Sequence, residues 1–331
     1  MVNDLGKRYR YLIIDTNNLF LRTFHFLGKN LEIDDCKSAE ELKKIKHNFY
    51  SNVLKSCIDR INGFIYHFGF TSSEVFFLLD NPMSAYELRE MLTNGEYKHN
   101  RKMEGKVKDE VYYMIDQMID VLHHYSDNFR FVRCDGFEAD DLVYNVLNDI
   151  NMDVKNQALL ISADLDWSRG VSEYIDWYNY NNLFNRERYK DKYGFYPDGN
   201  KVQMYKSFRG DKSDCIPIGL KGIREELLLY IINKYEDMSE LFRNLWEDSN
   251  IPDSWKKKIK LNQPQLKSNF SLVDYFVVNK PLKDICTYSK ENLKILKLKF
   301  KVFNLPFEDR MTEKSNDFGF MTENNFKTRK W

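Results

Sequence analysis

Four short apolar runs punctuate the first half of the chain, and polar or acidic residues follow most of them at once. Residues 11–14, 75–79, 130–133 and 158–161 each read as a strand. Between them apolar positions recur at helical spacing. Asp15-Thr16-Asn17-Asn18 supplies turn or capping residues before a helix over about 19–27, and a long helical stretch covers about 39–68. Within the charged stretch 85–125, Val111, Met114, Ile115, Met118, Ile119 and Leu122 share one helical face. Leu142, Val143, Val146 and Leu147 do the same in a helix over 138–150. Strands alternating with helices predict an α/β fold with a mainly parallel central sheet flanked by helices. From Lys201 onward the pattern turns helical, over 202–208, 225–235 and 239–246. The run 293–300 alternates as a strand does but reads better as a helix.

The acidic residues change this picture most. Asp15, Asp80 and Asp164 follow the first, second and fourth apolar runs directly or within three residues. Glu138, Asp140 and Asp141 open a helix, Asp166 lies two residues past Asp164, and Asp211 and Asp214 sit in a Gly/Pro-containing loop. Strands of a parallel sheet all end on one side, so acids placed after those ends converge there. Two carboxylates about 4 Å apart repel by roughly 4 kcal/mol at an effective dielectric near 20. Such a cluster calls for a hard divalent cation with oxygen ligands, Mg²⁺ above all.

Composition narrows the function classes. The 331 residues, 43% hydrophobic and 15% aromatic, suffice for one large domain or two smaller ones. No apolar stretch approaches the roughly 20 residues of a membrane helix, and residues 1–7 lack the apolar region of a signal peptide. A soluble, cytoplasmic, monomeric protein without membrane contact is expected. Cys36, Cys57, Cys134, Cys215 and Cys286 are widely spaced and odd in number, which argues for free thiols. The six histidines form no zinc-binding spacing, and the adjacent His123 and His124 read as part of a helix face. Net charge is zero, but bases cluster: Lys98, Arg101, Lys102, Lys106 and Lys108 in one run, Lys256, Lys257, Lys258, Lys260 and Lys267 in another. Bases around an acidic site suit a polyanion held near metal ions; the other reading of each run is a solvated helix face.

Three motifs carry the chemistry. In Gly136-Phe137-Glu138-Ala139-Asp140-Asp141 the acids lie where a helix dipole favours negative charge, with Glu138 and Asp141 on nearby faces and Asp140 pointing elsewhere. Ser162-Ala163-Asp164-Leu165-Asp166 is a weaker signal, because turns often use Asp. In Arg209-Gly210-Asp211-Lys212-Ser213-Asp214 and the following Gly219-Leu220-Lys221-Gly222, glycines before a helix can offer backbone N–H groups to a phosphate. A plain loop is the alternative there.

Together and in this order, the motifs resemble the structure-specific 5′-nuclease family of phage 5′-exonucleases, polymerase-associated nuclease domains and flap endonucleases. The likeness runs from about residue 11 to 235 and looks closest to the T-even phage ribonuclease H type. The resemblance implies a PIN-like nuclease core over 1–200, a helical arch over about 84–125, a duplex-binding helical region with a helix–three-turn–helix over 201–310, and a tail over 311–331. It places Asp15, Asp80, Glu138 and Asp140 around one metal ion, with Asp141 used in phage members. It places Asp164, Asp166, Asp211 and Asp214 around a second. Tyr97-Lys98-His99-Asn100-Arg101 fits the arch motif, so Lys98 and Arg101 are implied to contact the scissile phosphate. Tyr97, Lys102, Lys106, Lys108, Lys212, Gly219, Lys221, Gly222 and Arg224 are the implied DNA contacts. One departure stands out: Arg224 and Glu226 occupy positions where the family has a glycine and a base.

The function expected is a Mg²⁺-dependent 5′-3′ exonuclease and 5′-flap endonuclease. It would act by two-metal hydrolysis, leave 5′-phosphates, accept Mn²⁺, and degrade RNA–DNA hybrids as in primer removal. The alternatives are a non-catalytic DNA-junction-binding protein and a PIN-type RNA endonuclease. Phe318-Gly319-Phe320 either packs back on the domain or docks a sliding clamp or single-strand-binding protein.

Overall fold

The computed structural model describes residues 7–28, 38–80, 105–122, 126, 128–133, 137–197, 199–212 and 216–274. At its centre lies β1 (Tyr9–Asp15). On one side of it run β2 (Gly69–Leu79) and β3 (Phe129–Arg133); on the other run β4 (Ala158–Ile161), β5 (Ile175–Tyr178) and β6 (Leu183–Phe184). Neighbours are parallel throughout except β5 with β6. The expected mainly parallel α/β sheet is therefore present.

Each central strand is apolar on both sides because helices cover both faces of the sheet. Ile13, Leu78, Val132 and Leu160 point to one face and pack with Leu142, Val143 and Val146 of α4 (Ala139–Asp149). Leu12, Ile14, Phe77, Phe131 and Ile161 point to the other. There they meet α1 (Thr16–Gly28), α2 (Ala39–Phe68) and α3 (Gly105–Leu122) through Phe20, Leu54 and Met114. Burying a side chain of this size contributes about 1.5–3 kcal/mol, so the alternation along β1 fixes the strand between the two layers.

Some elements differ from the sequence reading. α1 starts at Thr16, immediately after β1, with no intervening turn, and β2 begins six residues earlier than its apolar run. β5 carries Asp176 in its middle, which interrupts the apolar pattern that marks a buried strand. That carboxylate is itself buried, accepting from the Tyr9 hydroxyl at 2.6 Å and the Lys7 Nζ at 2.7 Å.

The chain then becomes helical: α5 (Arg186–Tyr193), α6 (Gly199–Arg209), α7 (Glu225–Lys234), α8 (Met238–Asn244), α9 (Asp253–Leu261) and α10 (Gln263–Asp274). α10 lies on α6, where the buried Asn269 donates Nδ2 to Ser207 O at 2.9 Å and Pro217 O at 2.7 Å. Gly219 is wedged into that junction. A Cβ there would come within 2.1 Å of Ser207 O and 2.7 Å of Leu266 Cδ2. Backbone at that distance has little room to yield, so Gly219→Ala should cost about 3 kcal/mol. Urea denaturation of the variant checks this, and an unchanged midpoint would contradict it.

Candidate active site

Adjacent strands leave β1 in opposite directions, to β2 and to β4, which opens a crevice beyond their carboxyl ends. The acids stand at that crevice. Asp15 is the last residue of β1, Asp80 directly follows β2, and Ser162-Ala163-Asp164 directly follows β4. The first turn of α1 ties the three ends together. Asn17 Oδ1 accepts from Asp80 N at 2.9 Å, and Asn18 Oδ1 accepts from Ala163 N at 3.3 Å.

Each carboxylate is anchored by a donor of the fold. Asp15 Oδ2 accepts from Ser162 Oγ at 2.7 Å and its Oδ1 from Asn18 N at 3.0 Å. Asp80 Oδ1 accepts from Ala139 N at 2.9 Å, so it meets the exposed N–H groups at the start of α4. Asp140 Oδ1 accepts from Trp167 Nε1 at 2.6 Å. Asp164 caps the 3₁₀ turn Leu165–Gly170 by accepting from Asp166 N at 2.9 Å. Asp141 turns back on its own helix: its Oδ2 accepts from Glu138 N at 2.9 Å and closes a capping box.

Electrostatics shows that these groups share one neighbourhood. Burial, followed by the charges of Asp80 and Asp164, pushes the Asp15 carboxyl up to about 8. Asp140 is raised well above the usual carboxylate range by burial, then by Asp164, Asp15, Glu138 and Asp166. Asp166 and Asp211 form a second group joined by a cation. The Lys206 Nζ, almost wholly buried, lies 2.6 Å from Asp166 and 2.7 Å from Asp211. Asp211 is placed by the end of α6 and by paired backbone bonds with Ile216, at 2.9 and 2.8 Å.

Sequence reasoning missed Lys206, Ser162, Asn17, Asn18 and Trp167. Lys206 had a usable signal: it falls four residues after the buried Val202, on the inner face of α6, where a lysine needs partners. Of the other expected site residues, Lys212, Lys221, Gly222 and Arg224 are exposed, and Gly222 adopts a left-handed backbone. Gly219 spends its N–H on Phe208 O at 3.1 Å, so its place in the fold is a packing one. Lys106 and Lys108 lie on α3. Tyr97, Lys98, Arg101, Lys102 and Asp214 lie outside the described residues, as do most of the arch, His123, His124 and the whole tail. Among the described residues, no group of three or more His, Cys, Asp or Glu is gathered closely enough to hold an ion by itself. Nor is any helix among them long and apolar enough to cross a membrane.

The family model for the 5′-3′ exonuclease, N-terminal resolvase-like domain, matches residues 10–194, more than half of the chain. The chain belongs to the 5′-3′ exonuclease family. The matched span includes all of the sheet but Tyr9, and the acids from Asp15 to Asp166. A 5′-3′ exonuclease of Mycoplasma genitalium is 25% identical over 277 residues, covering 79% of this chain and 83% of that protein. DNA polymerase I of Caldicellulosiruptor bescii is 29% identical over 225 residues, 62% of this chain but 25% of the polymerase. This chain thus spans only about a quarter of that relative's length. Among solved structures, the bacteriophage T5 D15 protein, co-crystallized with metal ions, superposes with a TM-score of 0.58 at 15% identity. That match covers 88% of this chain and 97% of the phage protein. The likeness in fold therefore reaches beyond the residues the family model matches.

Proposed function

We propose that this member of the family hydrolyses phosphodiester bonds at 5′ ends and 5′ flaps of DNA, with Mg²⁺ held by the crevice carboxylates. The observation that carries this reading is Asp15, buried at the switch point with its carboxyl pushed up to about 8 by burial and neighbouring acids. The donor set is made of hard carboxylate oxygens, and a divalent cation is the partner that offsets such a concentration of charge. Asp15, Asp80, Glu138 and Asp140 would hold one ion after drawing in around it, since as they stand they are not gathered closely enough to do so. Asp164, Asp166, Asp211 and Asp214 would hold a second, some of them through water. Bound cations supply an activated water and Lewis-acid stabilisation of the leaving 3′ oxygen.

This chain's own groups do the rest. Asn17 and Asn18 tether the backbone after β2 and β4, Ser162 and Trp167 donate to the Asp15 and Asp140 carboxylates, and Asp141 keeps the start of α4 formed so that Asp140 faces the crevice. Lys206 offsets the charge of Asp166 and Asp211 and keeps both aimed at one point. Lys98 and Arg101 would contact the scissile phosphate and stabilise charge developing on it. Lys212, Lys221 and Arg224 would meet duplex phosphates. RNA–DNA hybrids are included among the substrates, which suits primer removal during replication.

A 5′-labelled flap duplex tests the reading. With Mg²⁺ or Mn²⁺ the chain should release the flap and leave a 5′-phosphate on the duplex, and chelation should stop the reaction. Undiminished cleavage in chelator, or a preference for linear single-stranded RNA, would reject it.

A further inference from the structure

Away from the crevice, the second basic run does not behave as one charged face. α9 reads Asp-Ser-Trp-Lys-Lys-Lys-Ile-Lys-Leu, and its lysines divide by position. Lys256 turns inward, its Nζ 3.1 Å from Trp246 O and 3.3 Å from Asp253. Lys258 lies over the Trp255 ring, 4.3 Å from its centroid. Lys257, Lys260 and Leu261, spaced to share a helical face, turn instead to a groove of about 740 Å³ between α9, α10 and Trp246. Gln263, Pro264 and Lys267 complete its wall, with the Lys267 ammonium 5.6 Å from the Phe242 ring centre.

Two properties of this groove need a partner to explain them. Its floor is apolar yet exposed: Leu261 is 81% exposed and Trp246 51% exposed, next to Pro264. Burying a Leu in such a place is worth about 1.5–3 kcal/mol. Its rim carries three lysines and no acid. An apolar centre within a charged rim is the anatomy of a protein-recognition site. A nucleic acid would use the lysines and could stack a base on Trp246, but it would gain nothing from Leu261, the most exposed apolar side chain of the groove, or from Pro264.

We propose that this groove docks an acidic segment of another protein, in which one or two large apolar side chains are flanked by Asp and Glu. The apolar side chains settle on Trp246, Leu261 and Pro264, and the carboxylates pair with Lys257, Lys260 and Lys267. The inference stands apart from the nuclease reading, since it uses no residue of the crevice.

The test uses the full chain and a fluorescein-labelled peptide alternating Asp with Leu and Phe, read by anisotropy in 0.1 M salt. Saturable binding is expected with a Kd on the order of 10 μM. Leu261→Ser should weaken it about fivefold, and Lys257→Glu combined with Lys260→Glu at least tenfold. A peptide with Ser in place of Leu and Phe should not bind. Because Leu261, Lys257 and Lys260 are all exposed, these variants should melt as the parent does. The proposal is overturned if the all-acidic, apolar-free peptide binds equally well, or if Leu261→Ser changes nothing. It is equally overturned if the double charge reversal weakens duplex DNA binding tenfold while leaving peptide binding intact, which would make the groove a nucleic-acid surface.

Discussion

Asp140→Asn lowers the single-turnover rate on a labelled 5′ flap by at least about 10³-fold, equivalent to roughly 4 kcal/mol of lost transition-state stabilisation. The substitution keeps the shape of the side chain and an oxygen that can accept from Trp167 Nε1, which now stands at 2.6 Å. It also removes a charge that burial and Asp164, Asp15, Glu138 and Asp166 all oppose. The fold therefore loses nothing, and the metal-free protein becomes slightly more stable. What disappears is the charge of a carboxylate proposed above to hold the metal ion. DNA binding measured in Ca²⁺ should stay within a few fold of the parent. Asp141→Asn makes the informative contrast. It weakens the bond to Glu138 N that closes the capping box, at a cost of about 1 kcal/mol in stability, and slows cleavage far less. Equal cleavage losses in the two variants would remove the distinction drawn between a ligand and a helix cap.

That distinction shows where the sequence was readable and where it was not. The strands and the acids after them were legible because buried parallel strands are continuous apolar runs, and because one-sided strand ends follow from the sheet alone. Asp15, Asp80 and Asp164 could be placed at one edge of the sheet from that argument, and the structure sets them after the ends of neighbouring strands, though not in a ready-made ion site. What periodicity could not reveal was what holds each acid. Asn17 and Asn18 look like turn residues after a strand, yet they form the first turn of α1 and tether the ends of β2 and β4. Asp141 read as one more acid in a run, and its partner is backbone three residues away, a local bond that composition does not distinguish from a metal-facing one. Lys206 was hidden because a single lysine in a polar helix is ordinary; only burial on the inner face of α6 exposes its role. β5 was lost for the opposite reason, since Asp176 breaks the apolar run although Tyr9 and Lys7 satisfy it.

The second large effect concerns pH and the cost of the crevice to the fold. Asp15 carries a folded-state carboxyl at about 8 against an ordinary value of 3.8, chiefly because it is buried and then because Asp80 and Asp164 face it. Ser162 and Asn18 donate to it and oppose the shift only in part. The sign follows from where each state holds the proton. Below about pH 4 both states are protonated and Asp15 costs nothing. Between about 4 and 8 the unfolded chain releases the proton while the folded chain retains it, so folding becomes steadily less favourable. Above 8 the penalty is constant, on the order of 5 kcal/mol. A divalent cation that pairs with the carboxylate cancels this penalty, so Mg²⁺ should raise the melting temperature more at pH 8 than at pH 5. Asp15→Asn, which keeps an acceptor for Asn18 N and gives Ser162 a donor, should remove the share of the pH slope that Asp15 contributes in chelator, leave the share of Asp140, and reduce the extra Mg²⁺ response. Thermal melts of both proteins from pH 4.5 to 8.5, with and without Mg²⁺, decide the matter. If the variant retains the parent's full slope and Mg²⁺ response, Asp15 carries no such cost and does not hold the cation.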